Sequence, residues 1–150
     1  MNLKFQKITD ASRKDAEALT LFPDQKGFIE SVAECLQEAD EEERWQPYGI
    51  YDDKTLIGFT MYGCLSEASW GTRVWMDRLL IDRRFQGKGY GKAAVDALKE
   101  RLFHEYDTDK IYLSVYDYNP HAVSLYKKAG FEYTGELDTK GEKVMCVQRK

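Results

Sequence analysis

The stretch that most constrains the fold runs from residue 79 to residue 91, LLIDRRFQGKGYG. Its first residues, Leu79, Leu80 and Ile81, are typical of a buried strand, and a helical pattern begins after Gly91. Glycines let the backbone turn tightly and approach a ligand closely. The unpaired N–H groups at the start of the following helix favour an anion, and the helix dipole adds to this attraction. The stretch therefore predicts a strand, a turn and a helix that together cradle a phosphate or pyrophosphate.

Two common nucleotide-binding motifs do not fit this turn. The P-loop pattern, a glycine followed five residues later by Gly-Lys-Ser/Thr, does not occur in the sequence. The dinucleotide fingerprint Gly-x-Gly-x-x-Gly also fails, because after Gly87 and Gly89 the third glycine would fall at Lys92. Taken alone, the turn is also compatible with a simple connection between a strand and a helix.

Apolar periodicity in the rest of the chain alternates between strand and helix patterns. Strand patterns occupy residues 3–8, 48–51, 56–62, 74–81, 111–116, 131–137 and 142–147, and helix patterns occupy residues 10–22, 28–39, about 93–102 and 119–130. On strand 74–81, alternation places Trp75, Leu79 and Ile81 on one face. Because 150 residues fit one core, the sequence predicts a single domain over residues 1–150. The expected class is α/β (α+β) with a largely antiparallel sheet.

The charge balance and the cysteines exclude several functional classes. The 22 basic and 26 acidic residues give a net charge of −4, which argues against nucleic acid as a partner, because phosphate affinity comes mainly from clustered Lys and Arg. No apolar run approaches the roughly 18 residues of a membrane span, and the N-terminus lacks the apolar stretch of a signal peptide. The dispersed Cys35, Cys64 and Cys146 match no disulfide framework and no metal-binding spacing. We therefore expect a cytoplasmic protein without a nucleic-acid, membrane or metal partner.

The glycine turn is followed by two further motifs at fixed distances. Gln86-x-x-Gly89-x-Gly91 precedes Asn119, and the segment YKKAGF follows from residue 126. In this combination the chain resembles the GCN5-related N-acetyltransferase (GNAT) superfamily over nearly its whole length. The resemblance implies the GNAT fold, in which helices flank a mixed, largely antiparallel central sheet with splayed strands. It also implies acetyl transfer from acetyl-CoA to an amine by direct attack on the thioester, with no metal.

The resemblance assigns roles to the residues that would hold acetyl-CoA. Backbone N–H groups of one segment would bind the pyrophosphate: Gln86, Gly87, Lys88, Gly89, Tyr90 and Gly91. The exposed backbone of Leu79, Leu80 and Ile81 would pair with the pantetheine arm, in a slot that a bulge opens by splaying this strand from its neighbour. Asn119 would contact the cofactor near the pantetheine, and Tyr126 would lie near the thioester sulfur.

Acetyl transfer to an amine needs a neutral nucleophile and a protonated leaving thiolate. Tyr126 is the expected acid, because a phenol with a pKa near 10 is protonated at neutral pH. A packed helix aromatic is the alternative for this residue. Asp77 is the expected base, directly or through water, since it shares strand parity with Leu79. The alternative is a surface aspartate paired with Arg78 or Arg73. The two histidines, His104 and His121, are less well placed on their predicted helices.

Three features favour a flexible cation as the acceptor: the net negative charge, the acidic run at residues 38–43, and the aromatic residues Trp45, Tyr48, Tyr62 and Trp75. A solvated helix end is the alternative for the acidic run. Four stretches, residues 28–31, 58–63, 73–78 and 135–145, resemble the Bacillus-type spermine/spermidine (diamine) acetyltransferases. This resemblance implies a polyamine substrate. The expected substrate contacts are Glu30, Glu34, Glu41, Glu42, Trp75 and Asp77.

Other functions stay open at this point. Within the superfamily, the acceptor is alternatively an aminoglycoside, another small metabolite or a protein amine, because the same fold serves many substrates. A different class is a non-catalytic module that binds acyl-CoA. The resemblance also implies a homodimer, with the final strand at residues 142–148 as the candidate sheet edge.

Overall fold

The computed structural model describes residues 1–27, 29–116 and 118–150. In these residues, seven strands form one sheet, and four helices flank it. The strands are β1 (Leu3–Lys7), β2 (Trp45–Asp52), β3 (Thr55–Glu67), β4 (Gly71–Ile81), β5 (Lys110–Val115), β6 (Glu132–Leu137) and β7 (Lys143–Gln148). The helices are α1 (Asp10–Glu17), α2 (Val32–Glu41), α3 (Tyr90–Tyr106) and α4 (Pro120–Lys128), and short 3-10 turns occupy Pro23–Gln25 and Arg83–Phe85. In the described part of the chain, no helix is both long and apolar enough to cross a membrane.

The sheet consists of two antiparallel halves joined by one parallel pair. The strand order is β1-β2-β3-β4-β5-β7-β6, and β4 with β5 forms the parallel pair. The parallel ladder contains only Val74 opposite Ile111 and Trp75 opposite Tyr112. Beyond Trp75, β4 and β5 separate, which confirms a mixed, largely antiparallel sheet with splayed strands. The prediction that the strand at 142–148 is an edge is wrong, because β7 pairs with β5 on one side and β6 on the other.

Helices cover both faces of this sheet. On one face, Leu36 of α2 packs with Phe59 and Leu80, in a cluster that also includes α1. On the other face, Leu98 of α3 packs with Met76, and α4 adjoins the same cluster. Full burial of one such side chain stabilises the fold by about 1.5–3 kcal/mol. The first cluster packs on the end of β4 at Leu80, and the second packs on both β4 and β5.

A bulge in β4 determines which side chains reach which face. Met61 lies opposite Arg78 and Tyr62 lies opposite Met76, so Asp77 is an extra residue in the ladder. An extra residue reverses the alternation of side chains. Trp75 consequently packs in a different cluster from Leu79 and Ile81, and the prediction that these three residues share one face is wrong. The same reversal removes the parity argument that placed Asp77 on the face of Leu79.

Helix α1 is shorter than the periodicity predicts, and helix α2 begins at a later residue than predicted. Helix α1 ends at Glu17 instead of continuing to Phe22, because the chain after it is tied to the segment after β4. The Thr20 N–H donates to Asp82 Oδ2 at 3.0 Å, and the Arg83 N–H donates to the Thr20 carbonyl at 2.8 Å. Helix α2 begins at Val32, after a cap at Ser31. The predicted start of this helix at Phe28 lies outside the described residues.

Candidate active site

A cavity of about 530 Å³ opens where β4 and β5 separate, and we call it the main cavity. Asp77 to Ile81 of β4 form one wall, and Ser114 and Val115 of β5 form the opposite one. Its other lining residues relevant to the site are Glu30, Gln86, Gly87, Tyr90, Gly91, Asn119, His121, Leu125, Tyr126 and Glu142. Residues from the glycine turn, from β4 and from α4 therefore meet around one space, as the motif spacing predicts.

The glycine turn closes one end of the main cavity. Gly87 and Gly89 have φ of +77° and +87°, a left-handed conformation that favours glycine. Gly89 is the N-cap of α3, and no side chain caps the first N–H groups of this helix. Lys88, Arg83 and Arg84 are exposed beside the turn. Arg84 pairs with Asp82 at 2.8 Å, so the uncapped N–H groups, the helix dipole and the cations Lys88 and Arg83 make this end favourable for an anion.

The free edge of β4 leads from this turn towards the centre of the cavity. On one side of β4, β3 pairs with Leu79, Leu80 and Ile81. On the other side, the ladder with β5 ends at Trp75, so this part of β4 has no neighbouring strand there. The Gln86 side chain donates to the carbonyl of Ile81 at 3.0 Å and fixes the end of the strand. An extended ligand can therefore form hydrogen bonds with the Leu79 backbone, as a further strand would, whereas the Leu80 backbone faces β3.

Tyr126 reaches the main cavity from the last turns of α4. Asn119 begins this helix, where its Oδ1 accepts the Ala122 N–H at 3.4 Å, and Gly130, with φ of +99°, follows its end. The Tyr126 ring packs edge-on against Phe131 with centroids 5.9 Å apart. Burial raises the pKa of Tyr126 to about 12. Its hydroxyl has no hydrogen-bond partner among the described residues, so it is a protonated donor available to a ligand.

Asp77 lies at the bulge, beside a buried arginine. Its Oδ2 accepts a hydrogen bond from Arg78 Nη1 at 2.6 Å. The Arg78 guanidinium also lies 2.9 Å from Glu30 Oε2 and 3.5 Å from Glu38 Oε2, and Lys140 Nζ lies 2.8 Å from Glu30 Oε1. Burial raises the pKa of the Asp77 carboxyl to about 6, although Arg78 opposes the shift. Asp77 therefore exchanges protons closer to neutral pH than an ordinary aspartate does.

A second carboxyl group, Glu142, lies on the main cavity wall. Ser114 Oγ donates to Glu142 Oε2 at 3.3 Å. Burial raises the pKa of Glu142 to about 7, and a hydrogen bond with the Asp138 side chain adds to the shift. Neither Asp138 nor Glu142 was among the site residues predicted from the sequence. The signal was the spacing Asp-Thr-Lys-Gly-Glu between two strands, since a tight turn brings its first and last residues together.

A smaller cavity of about 240 Å³ shares two lining residues, Asp77 and Ser114, with the main cavity. We call it the aromatic cavity. Its other lining residues are Trp45, Leu65, Glu67, Ser69, Trp70, Trp75, Asp138 and Thr139. The Trp70 and Trp75 rings lie 5.4 Å apart. Three indoles and three carboxylates in one small space suit a ligand that is both cationic and partly apolar.

The structure brings only part of the predicted substrate contacts to these cavities. Glu30 lines the main cavity, Trp75 lines the aromatic cavity, and Asp77 lines both. The other three predicted contacts lie on α2 or at its end and line neither cavity: Glu34, Glu41 and Glu42. Glu34 caps α2 by accepting the Ser31 N–H, and Glu42 pairs with Arg44. Most of the acidic run is thus a solvated helix end.

The remaining predicted residues lie at the edges of the site or outside it. Tyr48 and Tyr62 stack on each other with centroids 5.2 Å apart, and they pack with the α3 cluster instead of lining either cavity. His104 is exposed on α3, whereas His121 lines the main cavity at the first turn of α4. The three cysteines are free, with Cys35 buried. Among the described residues, no group of three or more His, Cys, Asp or Glu side chains is placed to hold a metal ion.

The family model and the related proteins that match this chain are all acetyltransferases. A family model described as Acetyltransferase (GNAT) family matches residues 8–131. The chain is 41% identical to the spermine/spermidine N(1)-acetyltransferase of Bacillus subtilis (strain 168), over 99% of each chain. It is also 38% identical to the aminoglycoside N(6')-acetyltransferase type 1 of Klebsiella pneumoniae, over 50% of this chain and 38% of that protein.

Solved structures of the same fold extend this comparison. The aminoglycoside acetyltransferase AAC(6')-Ib in complex with paromomycin and acetyl-CoA superposes with a TM-score of 0.82 at 23% identity, covering 99% of this chain and 94% of that one. The spermidine N-acetyltransferase of Vibrio cholerae in complex with CoA and spermine gives a TM-score of 0.74 at 20% identity, covering 98% and 95%. The fold, the family match and the full-length relative agree, and the chain belongs to the GNAT acetyltransferase family.

Proposed function

We propose that this chain transfers the acetyl group of acetyl-CoA to a primary amine of a polyamine such as spermine or spermidine. The observation that carries the proposal is the meeting of the two cavities at Asp77 and Ser114. One cavity has an anion-binding turn and a free strand edge, and the other has indoles and carboxylates. The full-length likeness to a spermine/spermidine N(1)-acetyltransferase supports the same acceptor.

The residues around the main cavity fit acetyl-CoA in charge and in shape. The N–H groups at the start of α3, with Gly87 and Gly89 in the left-handed conformation, suit the pyrophosphate. The free edge of β4 at Leu79 suits the amide-containing pantetheine arm. Asn119 lies on the same wall as Tyr126, where the arm would end. Bound acetyl-CoA supplies an acetyl thioester, whose carbonyl carbon an amine can attack.

We assign Tyr126 as the acid that gives its proton to the leaving thiolate. A thiolate must gain a proton to leave, and a phenol can donate one. Burial keeps the Tyr126 hydroxyl protonated, with its pKa raised to about 12. Since that hydroxyl has no partner among the described residues, its proton is free to be donated.

We assign Asp77 as the base that takes a proton from the acceptor ammonium. An alkylammonium with a pKa of about 10, like that of Lys, is charged at neutral pH and must lose a proton before it attacks. Asp77 lines both cavities, so its carboxylate lies where an amine would pass from one to the other. The contact with Arg78 favours the ionised form of Asp77, which is the form that accepts a proton.

The aromatic cavity favours a thin cationic chain as the acceptor. Its volume, about 240 Å³, is below the roughly 300–1,000 Å³ of cavities that enclose drug-sized ligands. Methylene segments can pack on Trp70 and Trp75, while ammonium groups pair with Glu67 and Asp138. An aminoglycoside is the second candidate, since it is also cationic and a partial relative acts on this class.

We further propose that the enzyme acts in the cytoplasm as a homodimer. The β6 strand forms the edge of the sheet, and Leu137 and Tyr133 on it are 60% and 39% exposed. Large apolar side chains on a free strand edge favour pairing with another chain. Sedimentation of the purified protein distinguishes a dimer from a monomer, and Leu137→Lys is expected to shift a dimer towards monomer.

The experiment that tests the proposed function measures thiol release from acetyl-CoA with a panel of amines. Spermine, spermidine, lysine and kanamycin are compared at equal concentration, with the acetylated product identified by mass. We expect turnover with the polyamines to exceed turnover with lysine and kanamycin. Turnover with kanamycin but not with polyamines would select the second candidate. Tight CoA binding without turnover of any amine would contradict the enzyme assignment.

A further inference from the structure

The turn between β6 and β7 places two carboxyl groups where the two cavities meet. Glu142 lines the main cavity, and Asp138 lines the aromatic cavity. Glu142 has no role in the mechanism above, and Asp138 enters it only as a partner for an ammonium group. Asp77 lines both cavities, so this carboxyl pair borders the same two spaces as the proposed base.

Backbone hydrogen bonds hold this pair in a fixed arrangement. Asp138 Oδ1 accepts the Lys140 N–H at 2.9 Å and the Glu142 N–H at 2.8 Å. The Asp138 N–H donates to the Glu142 carbonyl at 2.9 Å, and Gly141 supplies the left-handed residue of the turn with φ of +81°. From β5, Ser114 Oγ donates to Glu142 Oε2 at 3.3 Å. The Glu142 side chain is therefore anchored from two elements of the sheet.

The surroundings of Glu142 differ from those of Asp77. Asp77 contacts the Arg78 guanidinium directly, at 2.6 Å. The direct partners of Glu142 are the Asp138 carboxyl group and the Ser114 hydroxyl, with Tyr116 near it after β5. Arg78 of β4 acts on Glu142 only as a more distant charge, and the Lys140 ammonium of the same turn is paired with Glu30. Glu142 consequently holds a proton more readily than Asp77 does.

We propose that Glu142 is the second proton acceptor of the acetyl transfer, which takes from Asp77 the proton that the acceptor ammonium loses and releases it to solvent. This inference rests on the proposed function and adds a residue to it. Asp138 is the positioning residue, because it anchors Glu142 through the backbone and through its own carboxyl group.

The proton and electron pairs balance along this route. The ammonium nitrogen loses one proton to Asp77, and that proton passes to Glu142 and then to solvent. The neutral nitrogen forms a bond to the thioester carbon, and the carbon–sulfur bond breaks with its electron pair on sulfur. Sulfur takes the proton of Tyr126, and the second nitrogen proton, lost as the amide forms, restores the phenol. The net products are the N-acetylated amine, the free thiol and one released proton.

The direction of the pH dependence follows from this role. Glu142 accepts a proton only as a carboxylate, so activity falls as pH drops below its pKa of about 7. The Ser114 hydroxyl lowers that pKa by donating to the charged form, whereas Asp138 raises it. Without Glu142, Asp77, with its pKa of about 6, is the remaining carboxyl group that accepts the proton. The acidic limb of the pH profile, where activity falls with decreasing pH, then moves to lower pH.

The test compares kcat against pH for the wild-type enzyme, Glu142→Gln, Ser114→Ala and the control Glu132→Gln, which changes an exposed glutamate on β6. We expect Glu142→Gln to lower kcat by about 10²-fold, typical of a lost proton-transfer group, and to move the acidic limb to lower pH. Ser114→Ala should move the limb to higher pH, and Glu132→Gln should match the wild type. Thermal unfolding of each variant shows that it is folded.

Each outcome decides between the two proposals. A wild-type enzyme without activity on any amine would overturn the proposed function itself. An active wild type with an unchanged pH profile in Glu142→Gln would overturn only the role of Glu142. A lower kcat in Glu142→Gln with the acidic limb unmoved would also overturn it, because loss of structure alone lowers the rate without shifting the limb. Glu142→Asp retains a carboxylate, so its kcat should fall at low pH in the same way as that of the wild type.

Discussion

The two halves of the site are built in opposite ways. The half that fits acetyl-CoA consists of consecutive residues, from Leu79 to Gly91, and it offers backbone N–H groups and a free strand edge. The half that fits the amine consists of side chains from β2, β3, β4 and the β6–β7 turn, and it offers carboxylates and indoles. The first half suits a ligand that every member of the family shares, whereas the second half can change residue by residue without altering the turn.

The largest expected effect comes from Tyr126, which lines the main cavity. Tyr126→Phe removes the proton that the leaving thiolate needs, and we expect kcat to fall by about 10²-fold or more. The KM values for both substrates should change little, because the ring and its packing on Phe131 remain. Initial rates measured by thiol release test this expectation. The matched control is Tyr51→Phe, on β2 outside both cavities; an equal loss in both variants would contradict the assigned role.

Asp77→Asn has the next largest expected effect. It should lower the rate of acetyl transfer without changing the binding of CoA. We expect kcat to fall by about 10²-fold, because the amide accepts no proton from the ammonium. Affinity for CoA, measured by calorimetry, should stay at the wild-type value. Asp96→Asn, an exposed change on α3, is the control for a lost carboxylate. A wild-type rate with normal polyamine saturation in Asp77→Asn would remove the residue from the mechanism.

Gly89→Ala tests the half that depends on the backbone. A Cβ in the left-handed conformation is disfavoured by about 1–2 kcal/mol, and at Gly89 this strain falls on the N-cap of α3. We expect the KM for acetyl-CoA to rise about tenfold, while the KM for the polyamine stays unchanged. Gly135→Ala is a matched control, since Gly135 on β6 has a similar φ of +90° outside the site. Both variants should lose stability in thermal unfolding, and only Gly89→Ala should lose cofactor affinity.

Trp70→Ala tests the half that depends on side chains, with the smallest expected effect. Loss of one cation–π contact of about 1 kcal/mol predicts a rise of roughly fivefold in the polyamine KM. The KM for acetyl-CoA should not move, because Trp70 lines only the aromatic cavity. Trp70→Phe retains a ring and should restore most of the affinity. A polyamine KM unchanged by Trp70→Ala would indicate that the acceptor does not use this cavity.

The same contrast explains how much of the molecule could be predicted from the sequence. The glycine turn and the Asn119–Tyr126 helix are local patterns, and the structure places them on one cavity. The bulge at Asp77 is a single extra residue without a compositional signal, so the alternation argument failed for Trp75. Glu34 and Glu42 were grouped with the site by charge, but local contacts with Ser31 and Arg44 engage them instead.

Glu142 shows the other limit of sequence reasoning. Its importance depends on Ser114 and Asp77, which lie 28 and 65 positions away in the chain. Nothing in the spacing of those three residues indicates that the splay between β4 and β5 brings them to one cavity. Long-range pairing of strands decides this, and it depends on the whole sheet.

The measurement that most directly tests the division into two halves is a matrix of initial rates. Acetyl-CoA and spermine are each varied against the other, for the wild type, Gly89→Ala and Trp70→Ala. The account predicts a crossed pattern, in which Gly89→Ala raises only the acetyl-CoA KM and Trp70→Ala raises only the spermine KM. If either substitution raised both KM values by the same factor, the site would not consist of two separable halves and the account would be contradicted.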